Sequence, residues 1–294
     1  MAILVDETTR VLCQGMTGWA GSHHTAVMIE YGTKVVAGVT PGKGGRFHLG
    51  LPVFETVREA VAATKANASM IFVPPDNAAA AMIEAIEAEM PLVVAITERV
   101  PVLDMLRVRD ALKGARTVLV GPNSQGILAP GVCKIGVMAT GAARRGGVGV
   151  ISRSASLTSE VTQQITLSGL GQSTTVGVGG DAVHGLTMRR CLEMFLKDAE
   201  TRAVVLIGEI GGTEEEEVAD FIRETRPSIP VVALIVGLEA PEERRMGHAG
   251  ALNLKGRGDA ASKIRALTSA GVVMAPSPHL VGETVRQCLA ARAA

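Results

Sequence analysis

Short, unbroken apolar runs recur along the chain: Val11-Leu12, Val35-Val36-Ala37, Met70-Ile71-Phe72-Val73, Leu92-Val93-Val94-Ala95-Ile96 and Val118-Leu119-Val120. Runs without alternation suit strands that helices cover on both faces. Helix-period segments lie between them. Ala79, Met82, Ile83 and Ile86 share one face behind Asp76, a candidate cap, and Val57, Ala60 and Val61 share another. The alternation predicts repeated βαβ units and hence a parallel sheet. The rhythm pauses at A-T-G-A-A-R-R-G-G, residues 139–147, and restarts at Val148-Gly149-Val150-Ile151. Further strands are predicted at 174–178, 203–207, 231–236 and 272–274, and helices at 157–167, 214–224 and 260–269. The pause divides the chain into two α/β domains, residues 1–140 and 141–294.

Composition agrees with two domains, since 294 residues exceed the usual single-domain size. Hydrophobic residues make up 47% but aromatics only 2%, so aliphatic side chains must build the cores, and no stacking platform for single-stranded nucleic acid is expected. Lys plus Arg equals Asp plus Glu at 29 each, leaving no net field to draw the chain to nucleic acid or an anionic membrane. Any bound anion must be held locally. Cys13, Cys133, Cys191 and Cys288 are widely separated and form no C-x-x-C pair, which suggests neither a zinc site nor a disulfide framework. No segment reaches the roughly 18 uninterrupted apolar residues of a membrane span, and a soluble, cytoplasmic protein is expected.

The first turn reads Q-G-M-T-G-W-A-G-S, placing Gly15, Gly18 and Gly21 after the first strand. Such glycines let backbone N–H groups approach a diphosphate at the following helix N-terminus. A dinucleotide domain would normally end its second strand on Asp or Glu to hold ribose hydroxyls. This chain instead has Gly38-Val39-Thr40-Pro41-Gly42-Lys43-Gly44-Gly45. A lysine on a glycine loop suits another phosphate better, which favours a phosphorylated nucleotide such as coenzyme A over NAD. A purely structural turn with a solvated lysine stays open.

In the second half, the strand ending at Ile151 runs into S-R-S-A-S-L-T-S-E. Ser152, Ser154 and Ser156 can cap a helix, and the same geometry presents N–H groups to an anion. G-x-S-x-G is absent, so a serine-hydrolase elbow has no support. The run Glu214–Glu217 favours the positive end of a helix whose buried face is Val218, Phe221 and Ile222, a structural role. Glu209 differs, because it ends a strand where parallel sheets place their ligands. His248 lies in R-R-M-G-H-A-G-A with only small or apolar neighbours. The remaining histidines, His23, His24, His48, His184 and His279, have no metal-like spacing and are expected to be solvated or capping, with His23 or His24 near the nucleotide.

Taken together, V-T-P-G-K-G-G, L-G-L-P-V-F-E-T-V-R-E-A-V-A-A-T, G-P-N, Leu206-Ile207-Gly208-Glu209-Ile210-Gly211-Gly212 and R-M-G-H-A-G-A resemble, in order, the alpha subunits of succinyl-CoA synthetase and related NDP-forming acid–thiol ligases, from Ile3 to about Gly256. The resemblance implies a Rossmann-like CoA-binding domain followed by a flavodoxin-like ligase domain. It implies that His248 is phosphorylated in turnover and that Glu209 orients it. Imidazole, with a pKa of about 6.5, offers an uncharged nucleophile near neutrality. CoA would lie along Thr17, Gly18, Trp19 and Ala20, near Lys43 and against Ile96-Thr97-Glu98. The phosphoryl group would rest at Ser154-Ala155-Ser156, and the acid near Asn123, Ser124 and Ser159. An ATP-grasp-type beta subunit, in a heterodimer or heterotetramer, would bind ATP or GTP with Mg2+, since this chain has no P-loop.

The departures gather where the acid should bind. The family's S-R-S-G-T-L-T-Y is S-R-S-A-S-L-T-S here, G-P-N-C-P-G becomes G-P-N-S-Q-G, and G-G-D-P-I-x-G becomes Gly179-Gly180-Asp181-Ala182-Val183-His184-Gly185. Within a family whose acid is succinate or a relative, they point to a substrate other than succinate, a hydroxylated or larger di- or tricarboxylate such as malate or citrate. A non-catalytic CoA-binding scaffold of the same fold is the alternative, against which the presence of His248 and Glu209 argues. An NAD-dependent oxidoreductase is disfavoured by the missing acid after the second strand.

Overall fold

The computed structural model describes residues 2–241, 243–252 and 258–293. The first half contains β1 (Arg10–Gln14), α1 (Trp19–Tyr31), β2 (Lys34–Val39), β3 (Phe47–His48), β4 (Leu51–Phe54), α2 (Val57–Thr64), β5 (Ala68–Ile71), α3 (Pro75–Glu87), β6 (Leu92–Ala95), α4 (Val102–Leu112) and β7 (Val118–Val120). Its sheet runs β3-β4-β2-β1-β5-β6-β7, parallel except for β3 on β4. Strand order reverses at β1, so the crevice beyond the ends of β1 and β5 is the switch point of a Rossmann-like sheet. Strands β5 and β6 are buried at every position, as strands covered on both faces must be.

The second half contains β8 (Gly126–Ala129), β9 (Cys133–Gly136), β10 (Arg145–Ser152), α5 (Ala155–Leu167), β11 (Gln172–Gly177), α6 (Met188–Lys197), β12 (Ala203–Glu209), α7 (Glu214–Thr225), β13 (Val231–Val236), α8 (Ala260–Ser269), β14 (Val273–Met274) and α9 (Val281–Ala293). The order β14-β13-β12-β10-β11-β8-β9 is parallel through β11 and antiparallel at β8 and β9. The five parallel strands have the flavodoxin-like order, with the switch point between β10 and β12.

The changeover between sheets falls between Val120 and Gly126, earlier than the boundary expected near residue 140. The boundary expected near residue 140 leaves the hairpin β8–β9 in the first domain, because its short, glycine-bearing strands carry no crossover rhythm. It pairs instead with β11. Asp76 also differs from expectation: Pro74 and Pro75 open α3, and Asp76 lies inside its first turn without capping it. Proline is suited to the helix entry because its fixed φ matches and its missing N–H needs no partner there.

One apolar core bridges the halves, joining Val11, Cys13 and Met28 to Ile127, Ile135, Val176 and Phe195. The N-terminal segment crosses over as well, with the Ile3 N–H donating to Thr174 Oγ1 at 3.1 Å. Thr33 Oγ1 donates to the Lys134 carbonyl at 2.8 Å and accepts its N–H at 3.0 Å, tying α1's exit to β9. The two switch points are therefore held in a fixed relation. Among the described residues no helix is long and apolar enough to cross a membrane.

Candidate active site

The crevice at the first switch point is a cleft of about 730 Å³ lined by Gly15, Thr17, Gly18, Thr40, Pro41, Lys43, Phe72 and Val73, among others. Gly15 has φ +84°, and a Cβ there would lie 2.2 Å from the Phe72 carbonyl oxygen, so only glycine allows β1 to turn this close to β5. Gly18 opens α1 with no side-chain cap, which leaves the first N–H groups of that helix available to an anion. Lys43 Nζ donates to Thr17 Oγ1 at 3.1 Å across the mouth. The Glu55 carboxylate fixes the lysine's loop by accepting the N–H groups of Gly42 and Gly44, and these bonds hold its carboxyl pKa below the usual carboxylate range. Trp19 and Ala20 stand beside the cleft on the first turn of α1; Trp19 is exposed and stacks on His23 at 5.9 Å. His24 stacks on Phe72 at 5.1 Å, and burial, with the charge of His23, lowers its proton affinity.

A smaller cavity of about 200 Å³ lies where the halves meet, lined by Ile96, Glu98, Asn123, Ser124, Gln125, Arg153, Ala155, Gly179 and His248, among others. Thr97 links the two spaces: its Oγ1 donates to the Val73 carbonyl at 2.7 Å, and its carbonyl accepts the Asn123 N–H at 2.8 Å. His248 comes from the loop after β13 and Glu209 from the carboxyl end of β12. His248 Nδ1 is 2.8 Å and 3.0 Å from the two Glu209 oxygens. A carboxylate only accepts, so Nδ1 carries the proton and Nε2 presents its lone pair when the ring is neutral. The bond to Glu209 is the main reason that the His248 imidazole is more basic than usual; burial opposes it.

Other groups hold the ring in place. Gly180 packs so closely that a Cβ would come within 2.6 Å of His248 Cγ. The Gly250 N–H donates to the Gly180 carbonyl at 3.1 Å. Asn123 Nδ2 donates to Asp181 Oδ1 at 3.0 Å, while Asp181 Oδ2 is buried without a hydrogen-bond partner among the described residues. Burial raises the Asp181 carboxyl above its ordinary range, against the bond from Asn123.

Ser154 caps α5 through the Leu157 N–H, with the Ser152 hydroxyl bracing its own backbone on both sides. Ala155 reaches the cavity, and Ser156 and Ser159 are exposed on α5. Ser159 is not among the cavity's lining residues. Ser124 is buried, and its hydroxyl is spent on the Gly177 carbonyl and the Gly126 N–H. Two features escaped the sequence. Arg153 lines the cavity and lies 3.5 Å from Glu209, although the S-R-S-A-S segment drew attention only through its serines. His184, expected to be solvated or capping, is buried against Glu214 at 2.9 Å, and its charge and hydrogen bond outweigh burial to hold Glu214 below its usual range. Its burial depends on a contact with α7 that local sequence does not reveal. His23 and His279 are exposed, and His48 Nε2 lies 2.7 Å from Ser22 Oγ.

Comparison with known proteins meets this geometry. The family model for a CoA binding domain matches residues 6–99 and that for CoA-ligase matches residues 151–273. The chain is 53% identical to the alpha subunit of succinate–CoA ligase [ADP-forming] from Aquifex aeolicus, over 98% of this chain and 95% of that protein. The chain belongs to the succinate–CoA ligase alpha-subunit family. It is 50% identical to the Archaeoglobus fulgidus subunit alpha 2, over 98% of this chain and all of that one. An ATP citrate lyase from Methanosaeta concilii, in complex with (3S)-citryl-CoA, shares the fold with a TM-score of 0.90 at 23% identity. The alignment covers 98% of this chain and 51% of the lyase, so the chain spans about half the length of that structure. Membership of the family makes this a CoA ligase subunit of the alpha type, with CoA as the ligand of its first domain.

Proposed function

We propose that this chain, paired with an ATP-grasp-type beta subunit, converts a small di- or tricarboxylic acid to its acyl-CoA through a phosphohistidine at His248. The observation that carries this reading is the hydrogen bond from His248 Nδ1 to Glu209, which leaves the Nε2 lone pair on a ring that lines a cavity with Ile96 and Glu98. A nucleoside triphosphate bound with Mg2+ by the partner supplies the phosphoryl group. As the Nε2–P bond forms, the bridging P–O bond breaks and its electron pair leaves on the nucleoside diphosphate. Nδ1 keeps its proton, and Glu209 compensates the cationic ring. A substrate carboxylate oxygen then attacks phosphorus, the P–N bond breaks and His248 is regenerated. The acyl phosphate is open to thiolysis by CoA, which releases inorganic phosphate. Dividing the reaction avoids direct thiol attack on an unreactive carboxylate.

Gly15, Thr17, Gly18 and Lys43, which line one cleft, would hold the CoA phosphates, with Trp19 and Ala20 beside them and Thr97 along the path toward the cavity. Ser154, Ala155 and Ser156 begin the helix whose N–H groups would meet the phosphoryl oxygens. For the acid, Asn123, Ser124 and Ser159 stay the proposed neighbourhood, with succinate, malate and citrate as candidates. The working compartment is the cytoplasm. The test is mass spectrometry of the chain co-expressed with its beta-type partner and incubated with ATP or GTP and magnesium. Acid-labile phosphate on His248 that discharges only with one carboxylic acid and CoA supports the reading and names the acid. Absence of label from both wild type and His248→Asn, with a competent partner, overturns it.

A further inference from the structure

Beside His248 lies an arginine whose charge the fold has buried without completing its hydrogen bonding. Only 4% of the Arg153 side-chain surface is exposed, and Nε makes no hydrogen bond among the described residues. Its carboxylate neighbour, Glu209, is 3.5 Å away, and both Glu209 oxygens are closer to His248 Nδ1. A structural counter-ion pair would bring the guanidinium fork onto the carboxylate, because a buried donor left without an acceptor is destabilising. Here Glu209 balances the charge of Arg153 but does not complete its hydrogen bonds. The terminal nitrogens lie beneath two loops, where a Cβ on Gly250 or Gly212 would meet them at 2.7 and 3.8 Å. These glycines leave space for the guanidinium between the loop that carries His248 and the loop that follows Glu209. Arg153 also lines the cavity that His248 and Ala155 share, at the start of α5.

We propose that Arg153 is a catalytic ligand of the phosphoryl group, binding its oxygens while they are on Nε2 of His248 and as they pass to the acid. The inference rests on the phosphohistidine reading. Before transfer, Arg153 and Glu209 cancel and neutral His248 adds nothing. The phosphoryl group then brings negative charge into a buried space, where the helix N-terminus alone offers only a fractional positive charge. Arg153 supplies a full one, and the phosphoryl oxygens supply the acceptor that its Nε–H lacks. Arginine matches tetrahedral oxyanions through a planar fork that lysine lacks, so the identity of the cation is part of the claim.

The full assembly of this chain with its beta-type partner is compared with assemblies carrying Arg153→Lys and Arg153→Gln. Two quantities are read: phosphohistidine formed from labelled nucleoside triphosphate, and calorimetric affinity of the unphosphorylated assembly for inorganic phosphate, with CoA affinity as the folding control. The expected result is a loss of at least about tenfold in both quantities for both variants, with CoA affinity within twofold of wild type. Label and phosphate affinity within twofold of wild type in either variant overturn the proposal. In the lysine variant that outcome would reduce Arg153 to a counter-ion of Glu209. A loss of affinity for succinate or malate with phosphate affinity intact also overturns it, because Arg153 would then serve the acid. If Arg153→Gln does not fold, Arg153→Lys decides. An unlabelled wild type defeats the phosphohistidine reading instead, and the phosphate titration then judges Arg153 alone.

Discussion

The Glu215 carboxylate accepts the backbone N–H of Glu209 at 3.1 Å while closing on Lys263 from α8. Neither Glu215 nor Lys263 has any exposed side-chain surface. Lys263 also donates to Glu216 and to the Gly212 carbonyl, both at 3.1 Å. Glu215 fills the space that a side chain on Gly208 would need, 2.6 Å from the site of its Cβ. Part of the acidic run at the start of α7 thus fastens the strand end that carries Glu209. Removing one member of a buried ion pair strands the other, so Lys263→Met should cost about 3–5 kcal/mol in urea unfolding. Glu215→Gln in the same background should cost less than it does alone, because the stranded carboxylate is gone. Independent, additive losses would show that the pair is not coupled.

Gly180→Ala should act on His248 with little effect elsewhere. The new methyl would sit 2.6–2.9 Å from ring atoms, closer than packed carbons approach, so the ring or the loop must move. Displacing a reacting group by about 1 Å can cost on the order of 100-fold in rate. A fall of at least about tenfold in phosphohistidine formation is expected, with an overpacking cost of about 1–3 kcal/mol and unchanged CoA affinity. Phosphorylation at the wild-type rate would show that Gly180 does not position the ring.

The pH dependence follows from the Glu209 bond. Phosphoryl acceptance needs unprotonated Nε2, and Glu209 raises His248 above its ordinary pKa of about 6.5. The rate in wild type should fall as pH drops through that raised value. Glu209→Gln removes the charge, so its acid limb should move to lower pH and its maximal rate should fall by about 10–100-fold. Stability runs the other way. A group whose proton affinity is higher in the folded state stabilises fully below its unfolded pKa and loses that contribution as pH rises through the folded value. The stability advantage of wild type over Glu209→Gln should therefore narrow as pH is raised from the ordinary imidazole value of about 6.5 through the raised His248 value. An identical acid limb in both proteins would exclude Glu209 as the source of the shift.

Strands buried on both faces were legible because β5, β6, β10, β12 and β13 keep their apolar runs unbroken. The hairpins β3–β4 and β8–β9 were not, being two to four residues per strand and, at β9, carrying Lys134 within a fully buried segment. The position of Glu209 at a strand's carboxyl end was readable from the pattern alone; its meeting with His248 required the resemblance to known ligases. Arg153 and His184 lay beyond both routes. Each is defined by burial against a residue far along the chain, Glu209 or Glu214, and a residue's letter carries no record of that packing.

Lys43 offers a prediction that separates the two halves of the proposed reaction. Its ammonium is held across the cleft mouth by Thr17, on a loop that Glu55 fixes through the Gly42 and Gly44 N–H groups. A hydrogen bond to a charged group is worth about 1.5–3 kcal/mol, so Lys43→Met should weaken CoA binding by roughly 10- to 100-fold. Raising salt should weaken wild type toward the variant, because an exposed charge is screened. Phosphohistidine formation from nucleoside triphosphate needs no CoA and should proceed at the wild-type rate, while discharge to acyl-CoA should show a raised KM for CoA. Calorimetry with CoA and a single-turnover labelling experiment measure the two halves independently. Equal CoA affinity in variant and wild type would remove Lys43 from the phosphate site and leave Glu55 with a loop-shaping role only.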